Sequence, residues 1–300
     1  MISHRERVTR ALRGDPSTGS GLDRIPRGEF FIADEFVRAF LALDGGIDFR
    51  HHQVVVEQLD LDVVSIPFSA GWGALEQPDE DRALESLTRW HAESDRFVFA
   101  LIDGPFSAAV KARGFEMLMR YVHSAPRFAH DDFHQGAAET RVIAQAVRDA
   151  GADGVILGED IAYNRSTFFS PQQLRESYFP ELKQTGHDLR ALGLAVFFHS
   201  DGNLNAILDD LAACEVDGLQ GLEPAAGMQI GAVRERVGNV VTLWGNLGFE
   251  FLSSPRMDQE ITAARQQIEI ENGARSRLII GSCSGLVDGL NVETVRRLYA

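Results

Sequence analysis

Three hundred residues, 44% of them apolar, can bury a large core, and 29 basic against 44 acidic side chains leave a formal net charge of −15. That balance opposes a nucleic-acid partner and an anionic membrane surface, both of which draw on clustered Lys and Arg. The opening MISHRERVTRAL has no apolar signal region, and apolar stretches such as 194–198 are far too short to span a bilayer. Only two cysteines occur, Cys214 and Cys283, so a reduced compartment is expected and the protein reads as cytoplasmic.

In chain order, a leading helix over 3–13 precedes a loop at 14–21. Apolar, β-branched runs ending in Gly, Pro, Asp or Asn then recur with helical patterns between them, the signature of βα units and a parallel sheet. They read as strands at 28–32, 62–68, 97–104, 154–160, 195–200, 218–224, 240–246 and 277–282. Between the second and third, 69–94 reads as a long loop or small excursion over the barrel mouth, carrying Trp72 and Trp90. Helical spacing follows Ser170-Pro171 (Leu174, Tyr178, Leu182, Leu189, Leu192) and recurs at Ile207, Leu208 and Leu211 and at Ile261, Ala264 and Ile268. Eight such units predict an α/β fold, a single (β/α)8 TIM barrel over 1–300. A doubly wound sheet is the alternative, disfavoured by the lack of G-x-G-x-x-G and of a P-loop. The last helix runs only about two turns, which leads to the expectation of a truncated C-terminus.

Catalytic groups of such barrels project from the carboxyl ends of the strands. Those ends present Asp103, Glu159-Asp160, His199 with Asp201, Glu223, Asn246 and Cys283. His199 and Asp201 are two apart in an extended segment, so both point to one side; the pair can ligate a metal or form a carboxylate-oriented acid/base. A lone strand-end histidine is also found as a hydrogen-bonded core residue. Glu159 and Asp160 are adjacent and face opposite sides, so one of them can serve the pocket. Cys283 can add a sulfur ligand to a zinc site, or simply pack as a small apolar residue; Cys214 sits on a helix and packs. Asp103, Glu223, Asn246 and Arg165 are the candidates for substrate binding, Arg165 from the loop after the fourth strand.

RERVTRAL at 5–12, DRIP at 23–26, GEDIAY at 158–163 with Ser170-Pro171, FHSDG at 198–202, GLQGLEPAAGM at 218–228, WGN at 244–246 and GSCSGL at 281–286 with Glu293 together carry a resemblance. The chain resembles the uroporphyrinogen decarboxylase superfamily, in its methyltransferase-like branch. The resemblance implies a (β/α)8 barrel, a small-molecule substrate, a corrinoid carried by a partner protein, and paired barrels, hence a homodimer. It also implies a zinc held by His-x-Cys and a distant Cys. The His position is His199, but Asp201 stands where the first Cys is expected, and the second falls on Ser284 or, with a one-residue shift, Cys283. The arginine-rich stretch by which the porphyrinogen decarboxylases clamp carboxylates is replaced at 29–37 by EFFIADEFV, which has no arginine.

The function expected is methyl transfer between a corrinoid protein and a small acceptor. His199, Asp201 and Cys283 are its metal ligands, and Asp160 or Glu159, with His199 and Asp201, its catalytic groups. The alternative is a metal-independent decarboxylase of a smaller carboxylated substrate, with Asp160 and His199 moving protons and Arg24, Arg27 or Arg165 holding carboxylates. A barrel that only binds a partner is the third reading.

Overall fold

A computed structural model describes residues 2–14, 22–74, 76–273 and 277–300. Its strands are β1 (Val63–Pro67), β2 (Phe97–Asp103), β3 (Gly154–Gly158), a short antiparallel hairpin of β4 (Ala162–Tyr163) and β5 (Ser166–Thr167), β6 (Ala195–Ser200), β7 (Gly218–Gly221), β8 (Thr242–Leu247) and β9 (Leu278–Ser282). Seven of them form one parallel sheet in the order β1-β2-β3-β6-β7-β8-β9, with helices in the connections. Each strand pairs with its predecessor in register steps such as Leu101↔Ile156 and Gly158↔His199.

The sheet curls until its two edges meet the segment 26–28. On one side Gly28 N donates to Ile280 O at 3.0 Å and Ile280 N to Pro26 O at 2.9 Å; on the other, Val63 N and Asp62 N donate to Arg27 O. This segment is the eighth stave, and the fold is the expected α/β barrel. It is shorter than the strand expected at 28–32: only bridges at Arg27, Gly28 and Ile32 form. The Gly28 carbonyl is taken from inside by the Trp244 indole at 3.0 Å, and Ile32 bridges Leu286 beyond the end of β9. Closure is also tight. A Cβ on Gly28 would press on Val63, and one on Gly281 would land on the Gly28 carbonyl.

Alternation divides the side chains between two cores. Phe30, Val63, Phe99, Leu101, Ile156, Phe197, Trp244 and Ile279 fill the barrel, with Val8 of the helix His4–Arg13 closing its floor. A larger cluster packs the outer faces of the strands against the helices. At the floor, fully buried Asp62 accepts from Arg7 at 2.6 Å, His4 at 2.7 Å, Arg24 and the Arg27 amide. Burial alone would raise its pKa, but these donors hold it below the usual range.

Two other expectations change. The excursion 69–94 is a short loop followed by the helix Glu80–Glu93, whose buried face includes Trp90; only Trp72 remains in the loop. The loop expected at 14–21 lies outside the described residues after Gly14. Among the described residues no helix is long and apolar enough to cross a membrane.

Glu29, 1% exposed, lies outside the staves and ties the closing segment to β9 and the final helix, Val292–Tyr299. It accepts from Ser282 N at 3.2 Å, from Ser282 Oγ and from the Tyr299 hydroxyl. Burial outweighs these donors and pushes its carboxyl up to about 7. A carboxyl raised by folding supports a stability that is complete below its unfolded pKa and is lost as pH rises through the folded value. Denaturant unfolding should therefore show stability falling from about pH 4.5 to about pH 7. Glu29→Gln should remove that part of the slope, up to about 3 kcal/mol. An identical slope in the variant would show that Glu29 does not titrate there.

Candidate active site

At the carboxyl ends of the strands the barrel interior turns polar. His199, 3% exposed, projects inward from β6, its ring stacked on Phe30 with centroids 4.0 Å apart and planes 19° from parallel. Its Nδ1 lies 2.5 Å from Gln220 Oε1 on the neighbouring β7. The other end of that amide donates to Cys283 O at 2.9 Å and Ser282 O at 3.3 Å. A flipped amide would set an oxygen against two carbonyl oxygens, so Oε1 must be the atom facing His199. In the neutral imidazole the proton therefore sits on Nδ1, and the Nε2 lone pair is presented to the mouth.

Asp160 is near that nitrogen, and Asp201 and Glu223 stand in the same mouth. Asp160 Oδ1 is 3.7 Å from Nε2, and its side chain is half exposed. Its left-handed backbone, φ 31°, turns it towards His199 immediately after β3. Asp201 accepts from Ser284 Oγ at 3.0 Å through Oδ2, while its buried Oδ1 has no partner. Burial raises the Asp201 pKa, Asp160 and Glu223 add to the rise, and His199 and Ser284 oppose it. Glu223 caps the turn after β7 through Ala225 N at 3.2 Å and stands close enough to Cys283 to bias its thiol. Burial pushes that thiol well above the ordinary range, and Glu223 and Asp201 push the same way.

The structure thus brings together His199, Asp160, Asp201, Glu223 and Cys283, and places the other candidates elsewhere. Glu159 is the corrected half of its pair. It is fully buried and points to the first turn of the helix Pro105–Arg113, accepting from Ser107 N at 2.9 Å, Phe106 N at 3.3 Å and the Tyr178 hydroxyl at 2.6 Å. That helix starts at Gly104, which has no side chain to cap it, and the carboxylate does so instead. Burial pushes Glu159 up to about 8. Asp103 is held by Lys111 at 2.6 Å and Ser69 at 2.7 Å, and Lys111 also holds Gln77, so this group latches the loop carrying Trp72. Asn246 Nδ2 donates to Met228 O and Leu222 O, pinning the turn after β7. Arg165 is exposed at the tip of the β4–β5 hairpin. Among the described residues no three His, Cys, Asp or Glu side chains are grouped to hold a metal ion.

Sequence reasoning missed Gln220 and Phe30, and gave Ser284 only as an alternative ligand position, not as the partner of Asp201. A polar residue at an inward position of a buried strand was the available signal for Gln220.

Comparison with known proteins follows this geometry. The family described as uroporphyrinogen decarboxylase (URO-D) matches residues 72–300. No curated protein matches the chain. Among solved structures, a methyltransferase from Methanosarcina mazei superposes with a TM-score of 0.80 at 17% identity, over 99% of this chain and 97% of that one. A D-psicose 3-epimerase from Clostridium cellulolyticum, solved with D-tagatose, gives 0.52 at 10% identity, over 84% and 91%. At these identities the structures show a shared fold.

Gln220→Leu tests the imidazole arrangement. The substitution leaves Nδ1–H and two buried carbonyls without their partner, so stability should fall by about 1–3 kcal/mol. Nitrogen-15 spectra of His199 should show the Nδ1–H form in the parent and a mixture of tautomers in the variant. A single unchanged tautomer would mean that Gln220 does not set it.

Proposed function

The chain belongs to the uroporphyrinogen decarboxylase family, and we propose that within it this protein transfers a methyl group, from a corrinoid carried by a partner protein to a small acceptor bound at His199. The observation that carries the reading is the charge of the mouth. Asp160, Asp201 and Glu223 stand together, and among the described residues no lysine or arginine pairs with any of them. Lys111 is held by Asp103. At an effective dielectric of about 20, one carboxylate about 4 Å from another costs about 4 kcal/mol, so a polycarboxylate substrate is rejected. A neutral or cationic reactant is not. The fold shared with the Methanosarcina mazei methyltransferase supports the same reading.

The donor atoms fit a cation in part. His199 Nε2 has its lone pair free of Gln220, and Asp201 Oδ1 is buried without a partner, so these two would hold a zinc ion. Cys283, the expected third ligand, is fully buried, and burial with the nearby Glu223 and Asp201 favours its thiol over the thiolate a metal takes. When bound, the metal would supply a Lewis acid that favours the deprotonated acceptor. The residues of the chain do the rest. Phe30 holds the imidazole plane and keeps water from one face, Gln220 keeps the proton on Nδ1, and half-exposed Asp160 is placed to take a proton from the acceptor.

The competing reading, loss of carbon dioxide from a small carboxylated substrate, needs a cation for that carboxylate, and the same three acids oppose it. The test uses purified protein with methylcobalamin as donor and a panel of thiol, alcohol and amine acceptors, alongside metal analysis without chelator. Methyl transfer should fall at least about a hundredfold in His199→Ala, and stoichiometric metal should be lost in His199→Ala and reduced in Asp201→Asn. A parent without stoichiometric metal would remove the metal from the proposal. Carbon dioxide release without methyl transfer would replace it.

A further inference from the structure

On the floor of the barrel, away from His199, a cavity of about 250 Å³ opens between the segment 23–27, the helix Asp258–Asn272 and the end of the helix Val292–Tyr299. Arg24, Arg27 and Arg265 line it. In a chain of net charge −15, three guanidinium groups around one hollow run against the average surface. Arg24 is engaged by Asp60 and Asp62, at 2.8 Å for Asp60. The other two are less occupied. Arg27 reaches the Tyr299 carbonyl and stands 3.4 Å from Asp60, all through Nη1. Arg265 donates Nη1 to Leu298 O at 3.1 Å, and among the described residues no carboxylate pairs with it.

One of the two acids of the wall is turned to a partner outside the three cations. Asp23 is held in a two-pronged pair by Arg7, with both contacts at 2.8 Å, leaving Glu269 as the wall's other carboxylate. Burial lowers the Arg27 pKa, the nearby charges of Arg24 and Arg265 lower it further, and Asp60 and Tyr299 only partly oppose them. Crowded like charges in a partly enclosed hollow are relieved by an anion, and a guanidinium fork matches the paired oxygens of phosphate and carboxylate.

We propose that this cavity binds the oxyanion group of a small molecule, a phosphate or a carboxylate, seated between Arg27 and Arg265. The hollow greatly exceeds one water (about 30 Å³), so the anionic group can carry further atoms with it. Thr262 and Gln266, one helical turn apart on the same wall, offer hydrogen bonds to them. The site is independent of the chemistry at His199.

Calorimetric titration of the full chain with inorganic phosphate and with succinate, against sodium chloride at matched ionic strength, tests it. At least one of the two anions should bind saturably, and which one binds more tightly identifies the group. Arg265→Gln should weaken that binding by about tenfold to a hundredfold. Arg265→Lys, which keeps the charge and loses the fork, should fall between. Arg236→Gln, at an exposed pair with Asp209, should bind as the parent does. Thermal unfolding of each variant without anion confirms that it is folded. Absence of saturable binding to the parent, or equal affinity in the parent and Arg265→Gln, overturns the proposal.

Discussion

Residues 26–28 have to satisfy two sheet edges at once, β9 on one side and the approach to β1 on the other, with one peptide's width to do it. A parallel barrel that fails to close leaves two rows of unpaired backbone groups beside its core, which is why so short a stave still matters. The closure is reinforced from three directions. Trp244 holds the Gly28 carbonyl from inside, Asp62 holds the Arg27 amide from below, and Glu29 holds the end of β9 from outside. Residue alternation then does the rest: with Glu29 fixed outward, Phe30 must face inward, where it meets the imidazole of His199.

The mouth depends on the same ordering. Gln220 can orient His199 only because Ser282 and Cys283 bring two carbonyl oxygens to the other end of its amide, and Ser282 is the residue that Glu29 holds. Closure, the end of β9, Gln220 and the imidazole form one connected set of hydrogen bonds and ring contacts. A buried amide with all its partners in place is rigid, and rigidity of the ring is what a ligand or acid/base histidine requires.

The fold was legible where burial on both faces writes continuous apolar runs, as at Val155-Ile-Leu157 and Val196-Phe-Phe198. Phe30-Phe31-Ile32 looks equally strand-like, and misleads because the ladder is broken by contacts made by Trp244 and Leu286, far away in sequence. Alternation allows one of Glu159 and Asp160 into the mouth. Which one enters is decided by a left-handed backbone at Asp160 and by a neighbouring helix that starts at glycine, neither of which leaves a local pattern. Gln220 carried a signal as a polar residue on a buried strand, but its role exists only once His199, Ser282 and Cys283 converge. The candidates legible from strand ends alone, such as Asp103 and Asn246, have the right position, yet their polar atoms hold loops.

Charge then constrains the chemistry more tightly than the identity of any one ligand. Asp201 beside Asp160 and Glu223 makes the mouth a place where a new negative charge is expensive. A thiol acceptor has to lose its proton to become a good nucleophile, and three surrounding carboxylates resist that step. The step proceeds only if a cation shares the mouth. A neutral amine meets no such barrier, since it attacks without first becoming an anion and leaves a cation that the acids favour. Under the proposed function the acceptor and the cation are therefore coupled choices: an anionic acceptor would need a cation beside His199 and Asp201, and an amine acceptor would not.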